Sequence, residues 1–177
     1  MIEVANFAEQ IGLPFNRHWT VHYQMARVAE SDGAAFVGRL LTLLRKHVHR
    51  AGGRLAALWA RESGEGKGAH VHILLHLPSG MSLRNRTLRW IRAAGGVPSR
   101  RVSKVRRIGG SIRNAQPGSE HYRANADKVL AYLVKGASVE TGRALALPRY
   151  GETGPVIGKR AGWTVNIGKQ ARARAKA

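Results

Sequence analysis

Four stretches of the chain carry the residue pattern of β-strands. Arg17 to Tyr23 alternates, with Trp19, Val21 and Tyr23 on one side and His18, Thr20 and His22 on the other. Ala69 to Pro78 is rich in β-branched and aliphatic residues and is closed by Pro78. Its Val71, Ile73, Leu75 and Leu77 form a wholly apolar face, while His70, His72, Leu74 and His76 share the opposite one. Arg54 to Glu62 reads as a further strand. The Gly-rich run from Ser63 to Gly68 joins it to the histidine-bearing strand, which predicts an antiparallel hairpin. Arg100 to Ile108 alternates loosely, with Val102, Val105 and Ile108 among basic residues.

Helical spacing fills the intervals. A short helix is expected over Val4–Ile11, ended by Gly12 and Pro14. A longer one runs from Ser31-Asp32-Gly33 to about Arg50, with Phe36, Leu40, Leu43, Leu44 and Val48 on its apolar face. Ser82 is expected to cap a helix reaching Ala94, and Ser119-Glu120 to open one that ends at Gly136. On that last helix Lys135, Lys128, Asn125 and His121 fall within about 60° of Tyr132 at ~100° per residue. Ala126, Leu130, Leu133 and Val134 lie broadly opposite. Strand, helix, strand, strand, helix, strand, helix implies an α+β fold, a central antiparallel sheet with packed helices. The organised domain is expected over 1–150. Residues 151–177, rich in Gly and basic side chains, read as a C-terminal segment that is flexible or contacts nucleic acid.

Charge narrows the function. Lys and Arg number 30 against 10 acidic residues, a formal charge of +20 over 177 residues. Such an excess repels itself unless a polyanion neutralises it, so nucleic acid is the expected partner. Arg101, Lys104, Arg106 and Arg107 suit an exposed edge strand lying along a phosphate backbone. There is no cysteine, which excludes disulfides and thiolate metal sites. No apolar run approaches the ~20 residues of a membrane span, and the expected location is the cytoplasm. The glycine-lysine run before Ala69 lacks the spacing of a phosphate-binding loop and opens no helix.

His70 and His72, at i and i+2 on one strand face, supply two imidazoles side by side, and neutral imidazole is the commonest protein ligand for divalent metals. The strand Thr20-Val21, then His70-Val71-His72, then Tyr132-Leu133-Val134-Lys135 together resemble the three motifs of the HUH endonucleases. More narrowly they resemble the Rep class, initiators of rolling-circle replication in plasmids and small phages, in which the histidine pair also precedes the Tyr-x-x-Lys helix. The resemblance spans about Arg17 to Gly136.

The resemblance implies a ferredoxin-like or RRM-like core with the histidine pair on a middle strand. It implies a divalent ion, Mg²⁺ or Mn²⁺, held by His70, His72 and a third ligand, with zinc chemically compatible. Glu62, ending the adjacent strand, is the first choice for that ligand and Glu65 the weaker one; His76 lies ~13 Å along the strand from His72. Tyr132 would be the nucleophile and Lys135 the cation that stabilises it, with Lys128 and Asn125 on the same stripe facing DNA. Lys128 stands where two-tyrosine relatives carry their second tyrosine, so a single-tyrosine enzyme is implied. Its substrate would be single-stranded or hairpin DNA at a replication origin, with a host helicase and polymerase completing the cycle. Two alternatives remain open: a single-tyrosine HUH transposase, a family that usually has Gln where Lys135 stands, and a non-catalytic RRM-like binding module. The module lacks its expected aromatic pair here.

Overall fold

The computed structural model describes residues 1–64, 66–110, 116–151 and 154–175. Its elements are α1 (Ile2–Gln10), β1 (Arg17–Val21), α2 (Gly33–Arg50), β2 (Ala57–Glu62), β3 (His70–Leu75), α3 (Thr87–Ala93), β4 (Ser103–Arg107), α4 (Glu120–Val134), α5 (Val139–Ala144), β5 (Ala161–Trp163) and α6 (Lys169–Arg174). The strands form one antiparallel sheet in the order β4-β1-β3-β2-β5. The β-α-β-β-α-β run from β1 to β4 is consistent with a ferredoxin-like core. The α+β expectation holds, and β3 is the middle strand.

The expected β2–β3 hairpin is present, with Glu62 opposite His70, Ala60 opposite His72 and Leu58 opposite Leu74. Alternation then builds two apolar clusters. Trp19, Val21, Val71, Ile73 and Leu75 meet Phe36, Leu40 and Leu44 of α2 and Ile91 of α3. On the other side Leu58, Ala60 and Leu74 meet Val4 and Phe7 of α1 and Tyr122 and Leu133 of α4. Both sheet faces are therefore covered, and His70 and His72 are only 4% and 5% exposed.

Two expected boundaries change. The helix assigned to Ser82 begins at Thr87 instead: the Ser82 hydroxyl accepts from the Arg84 N–H at 3.1 Å, and Asn85 takes φ +60°, a turn that no helix continues through. The C-terminal segment, expected to be flexible or nucleic-acid-contacting, supplies α6 and the edge strand β5, which pairs with β2. Gly162 makes this possible, because a Cβ there would sit 2.8 Å from the Trp59 indole. Arg61 ties the same segment down. Its guanidinium, fully buried, donates to the carbonyls of Ile157 (2.9 Å) and Lys159 (3.1 Å), to the Tyr23 hydroxyl (3.1 Å), and to Glu30 through both backbone and carboxylate. No helix among the described residues is long and apolar enough to cross a membrane.

Candidate metal centre

The sheet register brings the site together. His70 and His72 share a face of β3, and the same face of β2 places Glu62 beside His70. On the other flank β1 sets Thr20 opposite His72. Glu62 Oε2 lies 3.5 Å from His70 Nε2 and 3.8 Å from His72 Nε2, with all three side chains buried. An ion with bonds of ~2.1 Å spans ligand pairs up to ~4.2 Å apart, so both separations fit one cation.

Hydrogen bonding points the same way. His70 Nδ1 lies 2.9 Å from the Gly68 carbonyl. A carbonyl only accepts, so Nδ1 carries a proton, and the neutral tautomer of His70 has its lone pair on Nε2, toward Glu62. Gly68 can take the required φ of +62°. Two acceptors then face each other in a buried site, an arrangement that suits a cation between them. His72 Nε2 and Glu62 Oε1 are also buried without a hydrogen-bond partner, the state expected of atoms that coordinate an ion. Burial drives His72 down to about 3, although Glu62 opposes it, and His18 down to about 4 with Arg106 adding to the effect. Both imidazoles are thus neutral, the ligand form.

Helix α4 roofs this face. The Ser119 hydroxyl caps it by accepting from the Tyr122 N–H at 3.2 Å, and the buried Tyr122 hydroxyl donates to the Phe15 carbonyl at 2.8 Å. With Leu133 and Val134 buried, the last turn aims Tyr132 and Lys135 at the histidines. The Tyr132 ring stands edge-on to His72, centroids 5.1 Å apart. Lys135 Nζ is 2.9 Å from Glu62 Oε2 and 3.8 Å from the Tyr132 ring centroid. Burial opposes the Lys135 charge, but hydrogen bonding with Tyr132 and Glu62 outweighs it and raises the ammonium above its ordinary range. For Glu62 burial pushes upward, yet the Lys135 ammonium, hydrogen-bonded to its Oε2, holds it below the usual carboxylate value.

A cleft of about 430 Å³ opens beside these groups, lined by His18, Thr20, His72, Lys104, Arg106 and Tyr132. A larger apolar cavity of about 630 Å³ lies behind Glu62 against α1, α5 and β5. Of the basic residues expected to meet DNA, Lys104 and Arg106 line the cleft, whereas Arg107 lines a separate cavity on the other side of the β4 edge. Arg101 and Lys128 are exposed outside both. Asn125 is engaged elsewhere: its Oδ1 accepts from the Gly109 N–H at 2.9 Å, fixing the turn after β4 to α4. The alternative ligand Glu65 lies outside the described residues.

His18 and His22 belong to the site and were not singled out from sequence, whereas Thr20 was named there as part of the first motif. His18 Nε2 lies 2.9 Å from His72 Nδ1, Thr20 Oγ1 lies 3.1 Å from the same atom, and His22 stacks on His70 at 5.1 Å. Alternation had placed the three on one face, but the pairing of β1 with β3 carries the signal. Comparison with protein-family models, with curated proteins and with solved structures returns no match to this chain.

Proposed function

We propose that this chain is a metal-dependent, HUH-type endonuclease of single-stranded DNA that nicks and rejoins strands through a 5′-phosphotyrosine, initiating rolling-circle replication of a plasmid or phage. The observation that carries the reading is the buried set of facing lone pairs on Glu62, His70 and His72, with Tyr132 edge-on to His72 and Lys135 bridging Tyr132 and Glu62.

Glu62, His70 and His72 would hold Mg²⁺ or Mn²⁺, which when bound supplies Lewis-acid polarisation of the scissile phosphate. Tyr132 Oη attacks phosphorus; the new Oη–P bond replaces the P–O3′ bond, and the phenolic proton is in net balance on the departing 3′-hydroxyl. A phenol of ordinary pKa ~10 is a weak nucleophile at neutral pH. The Lys135 ammonium beside it favours the phenolate and the charge gathering on the phosphate. Because one phosphoester bond is exchanged for another, the same centre reverses the step and joins strands. His18 and Thr20 hold His72 in place, and Lys104 and Arg106 draw the DNA backbone into the cleft.

The test is incubation of the protein with single-stranded DNA libraries and Mn²⁺, followed by a search for a covalent protein–DNA adduct. An adduct that disappears in Tyr132→Phe, His70→Ala and His72→Ala is the expected result. Binding with no adduct on any origin-like or transposon-end DNA would establish a non-catalytic module instead.

A further inference from the structure

We propose that the outer corner of the sheet, where β1 and β4 face the turn before α3, is a second phosphate site in which Arg17, Arg84 and Arg107 grip one phosphodiester of the strand entering the cleft. This rests on the strand-binding part of the proposed function and not on cleavage.

The starting observation is a like-charge pair. Arg17 and Arg107 are direct cross-strand partners in the β1–β4 ladder. Their side chains share the sheet face that carries Trp19, away from the histidines. Like charges directly opposite in a ladder destabilise it, and no carboxylate among the described residues pairs with either. Among the described residues Arg17, Arg84, Arg106 and Arg107 have no carboxylate partner. Among the described residues the half-buried Arg17 side chain donates only to the neighbouring Asn16 carbonyl at 2.8 Å. Burial, and then the Arg107 charge, push its guanidinium below the ordinary value.

A space opens beside these residues. Arg17, Arg84, Arg106 and Arg107 line a cavity of about 300 Å³, with Met81 and Val105 on its apolar side, at the lower end of the ~300–1,000 Å³ usual for ligand pockets. Guanidinium forks match phosphate oxygens two at a time, so an anion seated here converts the repulsion into paired charge-assisted hydrogen bonds. Val105, 37% exposed, offers apolar surface to the adjoining sugar.

Continuity with the cleft selects a strand rather than a free anion. Arg106 lines both cavities, and β4 is the outermost strand on that side. A backbone leaving Tyr132 passes Lys104 and Arg106, rounds this edge and reaches the arginine corner. Two inter-strand spacings, ~10 Å, separate β3 from β4, a span of a few nucleotides. The corner would then fix the direction and register in which the strand crosses the metal centre.

The experiment uses the full chain in EDTA, so that cleavage plays no part, and reads single-stranded DNA affinity against salt concentration. Arg17→Gln/Arg84→Gln is compared with Arg45→Gln/Arg50→Gln, which removes the same charge from exposed positions on α2. The corner variant is expected to reduce the slope of log K against log salt by ~0.7, the value for one lost single-strand phosphate contact, while the α2 variant leaves it unchanged. Its thermal midpoint without DNA should equal or exceed the wild type's, because a repulsion has been removed. Equal slopes for the two variants overturn the proposal. So does a wild type that inorganic phosphate protects from heat more than it protects the corner variant, if the DNA slopes do not differ. A protein that forms no adduct yet shows the slope difference refutes the nuclease reading and leaves this site standing.

Discussion

His18 Nε2 and His72 Nδ1 face each other at 2.9 Å across the β1–β3 ladder, with Thr20 Oγ1 3.1 Å from the same His72 atom. For His72 to offer Nε2 to a metal, its Nδ1 must carry the proton and donate it. Neutral His18 can accept that proton bond; protonated His18 cannot. Burial, which lowers His18 to about 4, therefore keeps His72 in the ligand tautomer. His18→Ala should weaken Mn²⁺ binding about 10- to 100-fold with the fold intact, and His18→Gln, which retains an acceptor, should lose less. Calorimetric titration with Mn²⁺ checks this, and unchanged affinity in His18→Ala would show that Thr20 alone orients His72.

Lys135 acts on the metal-free protein through Glu62. The Lys135 side chain is 12% exposed and the Glu62 side chain 5%, so their 2.9 Å contact is a buried ion pair. Removing one partner strands the other's charge, at a cost of about 3 kcal/mol. Lys135→Met should lower metal-free stability by about that amount, and Mn²⁺ should restore much of it because the ion takes over the compensation. Denaturant titration with and without Mn²⁺ decides the matter: a loss that the metal does not repair would mean Lys135 is held by packing alone.

Acid should unfold the metal-free protein early, and the sign follows from the two most strongly depressed imidazoles, His18 and His72. A histidine whose folded pKa lies below its unfolded value of ~6.5 contributes stability that is complete above 6.5. That contribution is lost as pH falls toward the folded value, because the unfolded chain then binds the extra proton. The window runs from 6.5 down to about 4 for His18 and about 3 for His72, at up to ~1.4 kcal/mol per pH unit for each group. Glu62, also held low, loses its contribution in the same direction below the usual carboxylate range. Urea midpoints at pH 7, 6 and 5 should fall steadily, and fall less steeply in His18→Asn, which leaves the His72 contribution in place. A midpoint independent of pH over that range would contradict the neutral assignments.

The parts of this site that follow from period-two alternation were legible in the chain. Alternation grouped His70 with His72, and the Gly-rich turn implied the hairpin that sets Glu62 opposite His70. The adjacency of β1 and β3, which delivers His18 and Thr20, is a long-range pairing with no local mark. The Tyr132 stripe was visible on a helical wheel, but one stripe serves three purposes: Tyr132 and Lys135 face the candidate metal centre, Asn125 fixes Gly109, and Lys128 faces outward. β5 was hidden because three residues in a Gly-rich basic run look like a tail, and the reason Gly162 belongs in a strand is the Trp59 ring on its neighbour.

Arg61 gives that hidden strand its own test. All five of its N–H groups are used, one on the Tyr23 hydroxyl, two on the carbonyls of Ile157 and Lys159, and two on Glu30. The guanidinium also packs against Gly33, where a Cβ would approach Nη2 to 2.5 Å. Lysine brings three donors on a flexible stem and cannot reproduce this fork. Arg61→Lys should therefore leave Glu30 or the 157–159 carbonyls short of partners, destabilise the protein by about 2–4 kcal/mol, and free the chain ahead of β5. Gly33→Ala should act in the same direction by displacing the guanidinium. Limited proteolysis would register this as new cleavage between residues 154 and 160, and Mn²⁺ affinity should fall with it, since Glu62 is the next residue on β2 and loses the pairing that holds its strand end. Cleavage confined to other loops in Arg61→Lys would show that the C-terminal segment is held by β5 and α6 without the arginine.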